Sequence, residues 1–200
     1  MVFVDPGRLA RPKPSRRRAM RYGATWIRVS LTAVLCLGGG LAIAAPGMRL
    51  SSAAFAADAS IPQRYTCDGP GVSPPLAWTR PPAGTRSLAL VVTDPDAPDP
   101  KAPRMTWVHW VIYDLPPHAG ALPTGAATPP EARDGLNSWK RAGYGGPCPP
   151  IGRHRYFFRL YALDTTLKFP APPDRARLLA AMHGHVLAEA TLMGTYRRVR

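Results

Sequence analysis

The sequence predicts a mainly β domain preceded by a targeting segment, and three observations lead to this prediction. Short runs rich in β-branched and aromatic residues recur after residue 57, separated by connections dense in proline and glycine. The 200 residues include 25 prolines and 18 glycines, a share below the level typical of disorder. Hydrophobic residues make up 46% of the chain, so one core and one domain with an appendage are expected.

The predicted elements follow the chain in order. Ser87–Thr93 is a continuous apolar run with the length of a buried strand, and Trp107–Asp114 and Tyr156–Leu163 are rich in β-branched and aromatic residues. A helix is predicted over 174–193, because an Asp N-cap follows two prolines and apolar residues then line one face up to a glycine. A final strand over 195–200 completes the prediction.

The positive charge is concentrated near the N-terminus. The chain carries 26 Lys and Arg against 12 Asp and Glu, a formal net charge of +14. Residues 1–56 hold nine basic residues and one acidic residue, whereas residues 57–200 hold 17 and 11. Because the second part shows no basic helix and no stripe of basic and aromatic residues, the charge does not indicate a nucleic-acid partner.

Residues 1–56 have the organisation of an export signal. A basic region precedes the apolar run 29–45, and Ala54-Phe55-Ala56 offers the small-x-small pattern that predicts cleavage before Ala57. An uncleaved membrane anchor is the alternative, because the uncharged stretch is long enough to span a bilayer. Both interpretations place residues 57–200 outside the cytoplasm, periplasmic or secreted. Sec and twin-arginine export, and a start at the first or the second methionine, stay open.

Three clusters combine residue types that bind ligands. Asp94-Pro95-Asp96-Ala97-Pro98 follows the first strand, where the prolines hold the carboxylates rigidly. Trp107-Val108-His109-Trp110 opens the second strand, and alternation predicts that Trp107 and His109 share a face with Val111 and Tyr113. The third cluster, residues 145–156, is a loop rich in glycine and proline that leads into a His-Arg-Tyr strand start.

Together these clusters resemble the phosphatidylethanolamine-binding protein family, and within it the bacterial Raf-kinase-inhibitor-like branch. The resemblance covers about residues 60–200 and includes residues 66–69, 73–78 and 162–164. It implies a compact antiparallel β fold with Greek-key connections, a few peripheral helices, a cis peptide at Ala97-Pro98 and a preformed anion pocket. The implied ligand-binding residues are Asp94, Asp96, Pro98, His109, Gly146, Pro147 and His154, with Tyr156 close by.

The resemblance implies a binding or inhibitory module more than an enzyme. Its ligand would be a small anion (phosphate, phosphoethanolamine or a phospho-group) held by imidazole N–H groups and loop amides. The two aspartates would raise the imidazole pKa values. One alternative is a hydrolase or lipid-handling enzyme that uses His109 with Asp94 or Asp96, and another is a protease inhibitor acting through a surface loop. In simpler interpretations the aspartates form turns and Arg155 makes a structural ion pair.

No metal is predicted, because the spacing of Asp and His gives no zinc signature, and no cofactor is predicted. No nucleophile motif occurs, so the sequence gives no support for catalysis. The expected partners are the small anionic ligand and, as an open alternative, a protein. Membrane contact is expected only through the N-terminal segment, and the oligomeric state is open, with a homodimer among the alternatives. Once Cys36 leaves with the signal segment, Cys67 and Cys148 remain, either as a disulfide closing a loop of about 82 residues or as two buried thiols.

Overall fold

The computed structural model describes residues 47–198, and its secondary structure is dominated by β-strands. The strands are β1 Leu50–Ser51, β2 Leu76–Trp78, β3 Ser87–Asp94, β4 Trp107–Leu115, β5 Ala121–Leu122, β6 Arg133–Asp134, β7 His154–Leu163 and β8 Val186–Tyr196. The helices are a 3-10 helix, Gln63–Tyr65, and the α-helix α1, Arg175–Met182. All ladders are antiparallel, in a three-stranded sheet ordered β1-β2-β5 and a five-stranded sheet ordered β6-β4-β3-β7-β8. The predicted mainly β fold is confirmed.

Both faces of the five-stranded sheet are covered, which explains the continuous apolar run of β3. On one face Leu88, Leu90 and Val92 pack into the core that also holds the side chains of the three-stranded sheet. On the other face Ala89 and Val91 pack into a second cluster with residues of α1. Because successive strand residues point to opposite faces, a strand buried on both sides needs apolar residues at every position.

The predicted long helix is wrong in its second half. The N-cap is as expected, since the Asp174 carboxylate accepts a hydrogen bond of 2.9 Å from the Arg177 N–H. However, α1 ends at Met182, and Gly184, with φ of +81°, turns the chain into β8. Strand β8 pairs with β7 along its whole length, and this long-range pairing outweighs the local helical spacing of its apolar residues.

The folded domain begins before the predicted boundary at residue 57. Met48, Leu50 and Phe55 are buried, and Leu50 in β1 pairs with Trp78 of β2. The Phe55 ring lies 5.7 Å from the Phe158 ring, centroid to centroid. The basic region and the apolar run of the predicted export signal lie outside the described residues, so export and its cleavage position stay predictions. Within residues 47–198, no helix combines the length and apolarity that a bilayer crossing requires.

Candidate ligand-binding site

A cavity of about 740 Å³ opens at one end of the five-stranded sheet. The end of β3 and the starts of β4 and β7 meet there, because neighbouring strands run in opposite directions. Five predicted site residues line this cavity: Asp94, Pro98, His109, Gly146 and His154. The peptide between Ala97 and Pro98 is cis, as the family resemblance implied.

Asp96 belongs to the same loop but serves a different purpose. The residue is 4% exposed and does not line the cavity. One carboxylate oxygen accepts hydrogen bonds from the backbone N–H and Nε of Arg155, at 2.9 and 3.0 Å, and the other accepts from a terminal nitrogen at 2.7 Å. These bonds from Arg155 lower the pKa of Asp96. The pair therefore fixes the β3–β4 loop on β7.

Two further residues expected at the pocket also lie outside the cavity lining. Pro147 is buried, and its carbonyl oxygen accepts a 3.0 Å hydrogen bond from the N–H of Cys67. Tyr156 is fully buried beneath the site, with its ring 5.2 Å from that of His109, centroid to centroid. Burial raises the pKa of Tyr156, so its hydroxyl stays protonated at physiological pH.

Asp94 is held by hydrogen bonds to both of its carboxylate oxygens. One oxygen accepts from the Asp96 N–H at 2.8 Å, and the other lies 2.7 Å from Nδ1 of His154. The second ring nitrogen of His154 lies 3.0 Å from the carbonyl oxygen of Ile151. Both ring nitrogens of His154 therefore face oxygen atoms, and the ring links Asp94 to the loop that precedes β7.

A β-bulge positions His109. In the ladder between β3 and β4, Val92 pairs with Trp110 and Thr93 pairs with Val108, so His109 is the extra residue. A bulge interrupts the alternation of a strand and re-aims the side chain at that point. The predicted common face is therefore correct only within pairs. Trp107 and His109 both contact Trp139 at the cavity, whereas Val111 and Tyr113 pack together on the α1 side of the sheet.

His109 presents one unpartnered nitrogen. The residue is 3% exposed, and Nδ1 lies 2.7 Å from the Gly145 carbonyl oxygen, to which it donates. Nε2 is buried without a hydrogen-bond partner among residues 47–198. Burial lowers the pKa of His109, and the opposing effect of Asp94 is smaller, so the expected rise is wrong in sign. With its proton on Nδ1, the neutral ring keeps Nε2 as a hydrogen-bond acceptor.

Tryptophan, methionine and arginine side chains complete the walls. The Trp139 ring meets the rings of Trp107 and His109 edge-on, with centroids 5.3 Å apart in both cases. The Arg141 guanidinium lies 5.6 Å from the centroid of the Trp139 ring, and Met105 and Trp139 are 50% and 40% exposed at the mouth. The sequence does not indicate Met105, Trp139 or Arg141 as site residues, because their loops carry no recognisable motif. The nearby glycines were the available signal, since a Cβ at Gly145 would overlap the Trp139 ring.

A disulfide joins two of the loops that line the cavity. Cys67 and Cys148 are bonded, with their Cα atoms 5.3 Å apart, and both residues line the cavity. Gly146 rests against the backbone of Thr66, where a Cβ at Gly146 would come within 3.0 Å. Among residues 47–198, no group of three or more His, Cys, Asp or Glu side chains has the arrangement of a metal site.

Comparison with known proteins identifies the family. Residues 51–197 match the phosphatidylethanolamine-binding protein family. A UPF0098 protein of Methanothermobacter thermautotrophicus is 48% identical over 155 residues, which cover 76% of this chain and 99% of that protein. The crystal structure of CT736 from Chlamydia trachomatis, described as a homologue of phosphatidylethanolamine-binding proteins, is 42% identical with a TM-score of 0.72, covering 78% of this chain and all of that one.

A second solved structure supports the same assignment. Escherichia coli YbcL, described as a member of the mammalian phosphatidylethanolamine-binding protein family, is 29% identical with a TM-score of 0.67, and the match covers 76% of this chain and 99% of that one. The family match spans most of the chain, and the relatives are covered almost completely. The chain belongs to the phosphatidylethanolamine-binding protein family.

Proposed function

We propose that this protein is an exported binding module whose cavity holds a small anion, phosphate or a phosphoryl group. One observation carries the proposal: His109 lines the cavity, and its Nε2 atom is buried without a hydrogen-bond partner among the described residues. A buried polar atom without a partner costs free energy, which a ligand that completes its hydrogen bond recovers.

The charges of the cavity favour an anion that either carries one proton itself or binds together with protonation of His109. Both oxygens of Asp94 are engaged by the Asp96 N–H and by Nδ1 of His154, so this carboxylate repels an anion less than one without hydrogen-bond partners would. A protonated His109 donates from Nε2 to an anionic oxygen, and a monoprotonated phosphate donates its own O–H to neutral Nε2. Arg141 at the mouth adds a permanent positive charge.

The lining favours binding over catalysis. Among the described lining residues there is no serine, threonine or lysine, and both cysteines are in the disulfide. The Nδ1 atom of His109 donates to a backbone carbonyl, and the Asp94 oxygens are occupied by hydrogen bonds. The enzymatic alternative therefore lacks a nucleophile next to the candidate base.

The export part of the proposal is supported by the N-terminal sequence and by the disulfide. Disulfides persist mainly in oxidising compartments, such as the periplasm or the cell exterior. Mass spectrometry of the full chain expressed with its own N-terminus tests this part, because cleavage and a mature species outside the cytoplasm are the expected result. A protein that stays full length in the cytoplasmic fraction would contradict it.

Calorimetric titration of the purified protein with phosphate and with O-phosphoethanolamine tests the pocket. We expect saturable binding by the wild type and its loss in His109→Ala. His185→Ala is the matched control, since His185 is an exposed histidine paired with Asp164 and does not line the cavity. Equal binding by both variants, or no binding by the folded wild type, would reject the proposal. Hydrolysis of a phosphoester panel that disappears in His109→Ala would favour the enzymatic alternative.

A further inference from the structure

The Cys67–Cys148 disulfide is exposed to solvent while forming part of the cavity wall. Both residues are exposed, and both line the cavity that contains His109. Exposed disulfides are accessible to thiolates and are more often labile than buried ones. A bond that reductants can reach therefore lies directly at the candidate ligand site.

The disulfide links two segments that few other polar bonds connect. Between residues 65–71 and 144–148, the N–H of Cys67 donates to the Pro147 carbonyl at 3.0 Å, and the Tyr144 hydroxyl donates to the Tyr65 carbonyl at 2.9 Å. Neither segment belongs to a strand of the five-stranded sheet. Breaking the covalent link would therefore loosen the cavity wall more than the sheet.

The second of these segments also fixes His109. The Gly145 carbonyl accepts the Nδ1–H bond at 2.7 Å, and the Gly145 N–H donates to the His109 carbonyl at 2.8 Å. The tautomer of His109, and with it the acceptor at Nε2, depends on that carbonyl. A displacement of residues 144–148 would thus change both the shape of the cavity and the state of its central polar atom.

We infer that the Cys67–Cys148 disulfide is a site of thiol–disulfide exchange that sets the anion affinity of the cavity, an inference that rests on the proposed function. The co-reactant is a dithiol reductant. Its thiolate attacks one sulfur, the S–S bond breaks, and the other cysteine leaves as a thiolate that takes up a proton. The second thiol of the reductant resolves the mixed disulfide, so the protein gains two electrons and two protons and the dithiol becomes a disulfide.

Titration of O-phosphoethanolamine into three forms of the full-length protein tests this inference. The forms are the oxidised wild type, the wild type reduced with dithiothreitol, and the double variant Cys67→Ser/Cys148→Ser. We expect the reduced and double-variant forms to bind about tenfold more weakly, because their loops must be ordered on binding. Circular dichroism and amide NMR spectra check that the sheet persists. Unfolding on reduction, or affinities within twofold of each other, would overturn the inference.

A second measurement uses the reciprocity of linked equilibria. If reduction weakens binding tenfold, saturating O-phosphoethanolamine must make reduction tenfold less favourable. For a two-electron couple this lowers the midpoint reduction potential of the disulfide by about 30 mV. The potential is measured by equilibrating the protein in buffers with known ratios of reduced to oxidised dithiothreitol. A midpoint reduction potential that O-phosphoethanolamine leaves unchanged would contradict the inference. If the oxidised wild type binds no anion, the proposed function fails; if it binds equally before and after reduction, only this inference fails.

Discussion

The pH dependence of anion binding follows from the state of His109. Burial lowers the pKa of this imidazole below its ordinary value of 6.5, so the His109 ring is neutral at pH 7 when no anion is bound. A sulfate ion carries no proton near neutral pH, so it binds well only when His109 takes one up. Above the folded pKa, the protonated fraction falls tenfold per pH unit, and the dissociation constant for sulfate rises by the same factor. From pH 6.5 to 8.5 the expected loss is about 100-fold, or roughly 2.7 kcal/mol.

A phosphomonoester behaves differently because it can supply the proton. Its second ionisation lies near pH 6, so below that pH the bound complex forms without net proton uptake. The affinity for the phosphomonoester should therefore be nearly independent of pH below pH 6. Above pH 6 it should fall tenfold per pH unit, as the sulfate affinity does. Calorimetry in buffers of different ionisation enthalpy measures directly how many protons are taken up for each anion bound. Sulfate binding at pH 7.5 should take up about one proton per anion.

The His109→Gln variant separates this histidine from its titratable neighbours. Tyr156 contacts the ring, four further titratable residues line the same cavity, and all five remain in the variant: Asp94, Arg141, Tyr144, His154 and Tyr156. A glutamine amide donates a hydrogen bond without titrating, so its sulfate affinity should be independent of pH between 6.5 and 8.5. A wild-type profile that is flat over this range would refute the assignment. So would a His109→Gln profile with the wild-type slope.

Three further predictions concern stability. A chain that begins at Ala57 should be destabilised by about 5 kcal/mol or more in urea titrations, because Met48, Leu50 and Phe55 leave the core. Phe55→Ala alone should cost about 3–5 kcal/mol, and wild-type stability of the shortened chain would contradict this role of the three side chains. Reduction of the disulfide should lower the free energy of unfolding by up to about 4.5 kcal/mol, as expected for a loop of its length, with the double serine variant as reference. Gly194→Ala should cost about 1–3 kcal/mol by thermal melting, because a Cβ there comes within 2.7 Å of Phe55; an unchanged melting temperature would show that the core absorbs the methyl group.

The elements that local sequence determines were predicted well. The apolar run of β3, the aromatic start of β4 and the Asp174 N-cap each depend on residues close together in the chain. The end of α1 was not predicted, because β8 exists only through its pairing with β7. Local spacing of apolar residues fits a helix there, but the ladder decides the outcome.

The role of Phe55 shows the same limit at the other end of the domain. As part of Ala54-Phe55-Ala56 it fits a local cleavage pattern, and nothing nearby in the sequence indicates burial. Its burial comes from packing against Phe158, about 100 positions further along the chain. A pattern of three residues cannot register such a contact, whereas removal of the segment would leave a gap in the core.

The two aspartates of the first motif show why the site could be predicted only in part. Asp94 and Asp96 have the same chemistry, stand two positions apart and were both assigned to the ligand. Their neighbours on β7 separate them: His154 engages Asp94 at the cavity, while Arg155 engages Asp96 away from it. Because His154 and Arg155 are consecutive in a strand, they point to opposite sides, and each takes the carboxylate on its own side. The motif therefore predicts two carboxylates at the end of β3, but the alternation of β7 decides which one faces the cavity.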